Sequence, residues 1–265
     1  TPVICGTVDA AAEAISVGVL EPRDMMLMYG STIFIIAITS KRVKDGRLWY
    51  APWLFPGQHA SMAGLATSGT LTHWFHETLA RELDPARAME VLAAEASASP
   101  PGAKGLVMLP YFSGERTPIH DTHAKGVIFG LDLPHTRGDL FRALLEGIGF
   151  GTNHILETYD EVGETPRNIF AVGGGTRNKV WAQATSDISG KTQILRSKSM
   201  GASYGNAFLA AIAVGDASLQ DIKIWNPVAS EFTTNPEHAE IYRKHFGVFR
   251  QLYERNCDLM KELGR

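Results

Sequence analysis

The chain has few cysteines and no long hydrophobic run, and its charge does not lean to the basic side. Its two cysteines, Cys5 and Cys257, lie near opposite ends of 265 residues. They form neither a metal-ligand spacing nor a disulfide framework, and a reducing cytoplasm is the simplest setting for them. No apolar stretch reaches the ~18 residues of a membrane-spanning helix. The formal net charge of −3 gives no basic face for nucleic acid or an anionic membrane, though a local phosphate site needs none. The Rossmann GxGxxG and the GxxxxGK[ST] phosphate loop are also missing. The start, TPVICGTVDAAAEAIS, has no basic n-region and no initiating methionine. It does not read as a signal peptide, and the expectation is a chain cut from a longer protein.

What is present is an ordinary globular composition, 45% hydrophobic and 20% charged, with one informative stretch, AVGGGTRN (171–178). An apolar run from Ile169 to Val172 ends in Gly173, Gly174 and Gly175. A segment follows with Asn178, Trp181, Ala182, Ala184 and Ile188 spaced for one helical face. A strand, a glycine turn and a helix bring backbone close to a nucleotide: glycine removes the obstructing Cβ, and the helix N-terminus favours anions.

The rest of the chain alternates in the same way. Residues 2–6 read as a short buried strand and 9–18 as a helix with Asp9 at or near its N-cap. Residues 25–39 read as a hairpin broken by Gly30, Ser31 and Thr32, and WYAPWLFPGQH (49–59) as a loop. Helices are expected over 68–84, within 85–104, over 138–162 with a broad apolar stripe, over 202–215 and over 236–262. Strands are expected at 105–114 and 126–132. Alternating strands and helices without a linker argue for α/β.

Several residues could carry chemistry. Asp9 follows a short apolar run at a helix head, where a carboxylate can orient a hydroxyl and take its proton, or simply cap the helix. Gly30, Ser31 and Thr32 could hold phosphate oxygens through backbone N–H groups and hydroxyls, or form an ordinary turn. The pair His73 and His76 has no third ligand at useful spacing, so no metal site is expected. Glu115, Arg116, Asp121 and His123 form a charged loop that invites a catalytic reading. Trp49, Trp53 and Trp74 read as packing, and Asp187 as structural.

In this order, the segments resemble the C-terminal half of the FGGY carbohydrate kinases. GVIFGLDLPHTRGDLFRALLEG (126–147) is similar to that family's second signature, and YFSGERTPIHDTHAKG (111–126) to the loop before it. MYGSTIFI, TSGTLTHWF and VGGGTRN resemble its three nucleotide-side loops, and GTVD (6–9) its GxxD motif. The resemblance implies an α/β, RNase H-like domain of the actin/hexokinase ATPase type, with a mixed sheet flanked by helices. Residues 1–265 would be the nucleotide-side domain, and the N-terminal domain with the sugar and phosphate-loop residues would be absent.

The resemblance further implies ATP with Mg²⁺ as cofactors, Asp9 as catalytic base, and Gly30, Ser31 and Thr32 at the phosphates. Gly69 would face phosphate at a helix start, with His73 where glycerol kinases carry Gln. Gly173, Gly174 and Asn178 would line the adenosine, beside Arg177. Ala10 stands where the family often has Gln or Asn against the sugar. GSTIFI and SGERTP look most like pentulose kinases, which implies a ketopentose such as xylulose, with ribulose or glycerol as alternatives. A second reading is an actin-like nucleotide-binding domain without catalysis. Expected partners are the sugar, ATP and the missing domain, with a homodimer left open and neither nucleic acid nor membrane involved.

Overall fold

The computed structural model describes residues 1–264. The chain opens with α1 (Asp9–Ser16), the hairpin β1 (Asp24–Tyr29) and β2 (Ile33–Thr39), then β3 (Trp49–Pro52) and β4 (His59–Leu65). Helices α2 (Gly69–Leu79) and α3 (Ala88–Ala98) follow, then the short pair β5 (Val107–Leu109) and β6 (Val127–Phe129). Helix α4 (Arg137–Glu161) leads to β7 (Asn168–Val172), α5 (Lys179–Ser189), β8 (Gln193–Arg196) and α6 (Ala202–Val214). The chain ends with α7 (Ile222–Trp225), β9 (Val228–Phe232) and α8 (Ala239–Glu262).

Seven strands form one mixed sheet in the order β3-β4-β2-β1-β7-β8-β9. β1 is antiparallel to β2 but parallel to β7, with Met26 opposite Phe170. Helices cover both faces, which is why β1 and β2 are almost continuously apolar. The two-residue period of β1 then divides its side chains between two cores. Met25, Leu27 and Tyr29 pack with Phe75, Phe141, Ile148 and Trp181 of α2, α4 and α5. Met26 packs with Ile15, Phe208 and Ile222 of α1, α6 and α7. This mixed sheet between two helical layers is the RNase H-like arrangement expected above.

Local signals explain the long elements. α4 begins with a reciprocal capping box in which Thr136 and Asp139 bond each other's backbone N–H. Gly205 lets α6 lie against α1, since a Cβ there would stand 1.7 Å from the Ala12 carbonyl oxygen.

Residues 2–6 are not a strand, contrary to expectation. They pair with nothing among the described residues, and Val3 is 91% exposed. This apolar run lies outside the seven-stranded sheet and joins neither of its edges, β3 and β9. The 49–59 loop instead contributes the edge strand β3, turns at Pro56-Gly57, and returns as β4. Trp49 is exposed on that edge, whereas Trp53 is buried and Trp74 packs edge-on against Phe112 at 4.7 Å. The expected strands at 105–114 and 126–132 shrink to three residues each.

Candidate functional site

The turn between β1 and β2 is fixed by what its carbonyls accept. The Gly30 N–H closes the turn on the Thr32 carbonyl at 3.1 Å. The Gly30 carbonyl receives the Gly69 N–H at 3.0 Å and the Ser68 Oγ at 2.9 Å. The Ser31 carbonyl receives the N–H groups of Ser68 at 3.0 Å and Thr70 at 3.2 Å. The head of α2 therefore donates to the turn. The Gly69 N–H is thus taken by the Gly30 carbonyl, and its glycine identity comes from close approach. A Cβ on Gly69 would lie 2.5 Å from the Gly30 oxygen. Among the described residues, the N–H groups of Ser31 and Thr32 have no intramolecular acceptor. The turn thus offers two free donors.

Across β1, the three glycines after β7 have different reasons to be glycine. Gly173 has φ +92°, and a Cβ there would meet the Tyr29 carbonyl oxygen at 2.5 Å. At Gly175 a Cβ would strike the Trp181 ring at 2.5 Å. Gly174 has open space and an ordinary φ, so the fold does not require its missing side chain. Asn178 caps α5, its Oδ1 accepting the Trp181 N–H at 3.2 Å. Its Nδ2 is left as a donor without a partner among the described residues.

These loops enclose a cleft of about 610 Å³, a size typical of small-molecule sites. Of the candidates, Gly30, Ser31, Gly69, His73, Gly174 and Asn178 line it, together with Arg177. Thr32 and Gly173 do not: the first closes the turn and the second sits behind it. Reading the sequence missed Tyr29, Thr72, Met89, Glu90 and Ala93 on its walls, and placed Gly175 and Trp181 only in the glycine turn and the helix after it. Trp181 is 2% exposed and meets Tyr29 edge-on at 4.9 Å. The Tyr29 hydroxyl donates to Gln193 at 2.6 Å, and burial pushes its pKa up. The Met89 and Ala93 side comes from α3, whose place beside the glycine turn is a matter of tertiary packing.

Asp9 stands apart from this cleft. It is the first residue inside α1, exposed, with Oδ1 accepting the Ala10 N–H at 2.7 Å. Val8 occupies the cap position and no side chain caps the helix. Glu13, one turn further, lines a second cavity of about 260 Å³ with Gly173, Gly174 and Arg177. Its carboxyl is raised, chiefly by burial and then by the charge of Asp9. The two cavities share Gly174 and Arg177, so the helix that begins at Asp9 borders the space beside the glycine turn.

The profile of the FGGY family of carbohydrate kinases, C-terminal domain, matches residues 25–214. The chain belongs to this family. It is 28% identical to the xylulose kinase of Bacillus subtilis over 263 residues, covering 98% of this chain and 52% of that protein. A ribulokinase of Anoxybacillus flavithermus is 28% identical, with 99% and 50% covered. The crystal structure of a xylulose kinase from Rhodospirillum rubrum superimposes with a TM-score of 0.89 at 34% identity, covering 97% of this chain and 52% of that one. The chain therefore spans about half the length of the curated relatives it matches. The actin/hexokinase ATPase fold expected of an FGGY domain is the one observed.

This FGGY cleft fits a nucleoside triphosphate in its own chemistry. Gly174 lines the cleft, and nothing stands within 4 Å of where its Cβ would be, so a ligand can approach its backbone closely. The free N–H groups of the Gly30–Thr32 turn suit anionic oxygens. Among the described residues, no group of three or more His, Cys, Asp or Glu side chains is placed to hold a metal. A Mg²⁺ ion here would be held mainly through phosphates and water. Asp187, on α5, is structural: it bonds His238 at 2.7 Å and the Asn235 N–H at 2.8 Å.

Proposed function

We propose that this chain is the nucleotide-binding half of an ATP-dependent sugar kinase acting on a ketopentose, xylulose before ribulose. The observation that carries the reading is the cleft between the Gly30–Thr32 turn and Gly174–Asn178, in a member of a sugar kinase family. Adenosine lies over Gly174, with Asn178 Nδ2 donating to the base. The Ser31 N–H and hydroxyl, on the cleft wall, hold the phosphates, with the Thr32 N–H reaching them from the rim just outside the cleft, and the phosphates bring Mg²⁺ with them. Gly69 sets the turn, and His73 flanks the nucleotide.

Asp9 is the catalytic base in this reading. Its carboxylate accepts the proton of the sugar hydroxyl as that oxygen attacks the γ-phosphorus. The bond from the γ-phosphorus to the β-bridging oxygen breaks, leaving ADP and the sugar phosphate. An N-terminal domain supplies the rest of the sugar site and closes over it, which excludes water from the phosphoryl transfer. Closure also makes the isolated half a poor catalyst. Xylulose comes first because the xylulose kinases of Bacillus subtilis and Rhodospirillum rubrum resemble this chain over nearly its whole length. The ribulokinase relative keeps ribulose as the second reading. The setting is the cytoplasm, in keeping with two free thiols and with no helix among the described residues long and apolar enough to cross a membrane.

The test is sugar-dependent ADP release by the two-domain protein, across ketopentoses, hexuloses, polyols and glycerol. Turnover with xylulose or ribulose supports the reading. ATP binding with no sugar-stimulated turnover moves it to a non-catalytic nucleotide-binding domain.

A further inference from the structure

The loop between β5 and β6 contains a buried carboxyl that neither the cleft nor Asp9 uses. Glu115 is 5% exposed. Its Oε1 accepts the Ala66 N–H at 2.7 Å and the Arg116 N–H at 2.6 Å. Its Oε2 has no partner among the described residues. The Glu115 N–H donates to the Asp121 carbonyl at 2.8 Å, and the Asp121 carboxylate accepts the Tyr253 hydroxyl of α8 at 2.9 Å. This loop is thus anchored to the C-terminal helix.

The same loop holds the end of β4 and the segment from there to α2 at three points. Thr117 N–H donates to the Gly64 carbonyl at 3.3 Å, Glu115 takes the Ala66 N–H, and the Thr67 hydroxyl donates to the Pro110 carbonyl. The next three residues, Ser68, Gly69 and Thr70, are the ones that hold the carbonyls of Gly30 and Ser31. Hydrogen bonds joined by short stretches of backbone therefore run from α8 through Asp121, Glu115 and Ala66–Ser68 to the turn with the free N–H groups.

We propose that Glu115 is a positioning residue for the phosphate turn: by fixing Ala66 it sets where Ser68 and Gly69 hold Gly30 and Ser31. The proposal rests on the nucleotide reading above. Glu115 touches no ligand and acts only through the backbone it binds. It orients the turn that receives phosphates and leaves alone the Gly174–Asn178 side that receives adenosine. Burial pushes its carboxyl up to about 8, against the opposing pull of the two N–H bonds and the Arg116 charge. At neutral pH it is mostly the neutral acid, which glutamine reproduces in shape and as an acceptor.

The experiment titrates this chain with adenosine, AMP, ADP and ATP at millimolar concentrations, read by NMR shifts of the Trp181 indole. In the unaltered chain, ATP and ADP should bind at least fivefold more tightly than adenosine. Glu115→Met, close in volume but without the acceptor, should bind adenosine within twofold of normal and lose the preference for ATP. Glu115→Gln should restore it. The proposal is overturned if the folded Glu115→Met variant keeps the preference, if adenosine and ATP weaken equally, or if glutamine is as defective as methionine. If Glu115→Met does not fold, Thr67→Val, which removes the bond to Pro110, is read by the same criteria. An unaltered chain that shifts with none of the four ligands overturns the nucleotide reading itself and the proposal with it.

Discussion

The Gly69 N–H donates to the Gly30 carbonyl at 3.0 Å, and the missing side chain of Gly69 is what lets the two strands of backbone meet. A Cβ there would sit 2.5 Å from the Gly30 oxygen, which is backbone and cannot swing away. Alanine is ordinarily the better helix residue by roughly 0.5–1 kcal/mol. Here the displaced hydrogen bonds outweigh that gain. Gly69→Ala is expected to lower stability by about 1–3 kcal/mol, in the range of an unsatisfied buried polar group, and to weaken ATP binding. Denaturant unfolding with a parallel ATP titration checks both. A variant as stable as the parent shows that the turn and helix can part without loss.

Gly173 and Gly174 are neighbours with opposite expectations. Gly173→Ala meets a positive φ and the Tyr29 carbonyl together, so it is expected to cost about 2 kcal/mol or more in stability. Gly174→Ala has open space and should leave the melting temperature almost unchanged, because no neighbour is touched. Because Gly174 lines the cleft assigned to the nucleotide, adenosine binding should fall severalfold. Thermal unfolding of both variants, followed by ligand titration of the second, separates the two roles. Equal stability losses would contradict this assignment.

That contrast also marks what the sequence can and cannot convey. The hairpin at Gly30–Thr32, the head of α2 and the glycine turn were legible because glycine, serine and hydrophobic periodicity are local signals. Which of three adjacent glycines is left open is decided by Tyr29, far away along the chain, together with the Trp181 ring on the following helix. β4 was missed because HASMAGL is rich in small residues and follows Pro56-Gly57, with little of the β-branched character that marks strands. Residues 2–6 misled in the opposite direction: the apolar pattern is real, but a strand needs a neighbour. The walls supplied by Met89 and Ala93 had no local signature, since only packing brings α3 to the cleft.

Glu115 gives the fold a pH dependence of definite sign. The folded chain holds this proton to about pH 8, whereas an exposed glutamate releases it near 4.5. The unfolded chain therefore binds fewer protons between those values, and stability falls as pH rises. The contribution is complete below about 4.5 and is lost progressively toward 8. Each unit of pKa difference corresponds to about 1.4 kcal/mol, so the effect is several kcal/mol at most. Glu115→Gln cannot release a proton, and it should gain stability relative to the parent as pH increases from 5 to 8. Urea unfolding at several pH values tests this, and parallel curves for the two proteins would contradict it.

Asp9 is the residue on which catalysis and mere helix capping part company. Val8, not Asp9, occupies the cap position, and the Asp9 carboxylate bonds only the adjacent Ala10 N–H while remaining exposed. A side chain that adds so little to the helix should be cheap to replace. Asp9→Asn keeps size and polarity but cannot take a proton from a hydroxyl. In the two-domain protein that the proposed function describes, it should lower kcat by about 10²–10⁴, the usual worth of a general base. The KM for ATP should stay within a few fold, because Asp9 does not line the cleft that the proposal assigns to the nucleotide. Steady-state kinetics with xylulose and ribulose measures both. Retained turnover would remove Asp9 from the chemistry, whereas a higher KM for ATP with kcat unchanged would give it a role in binding.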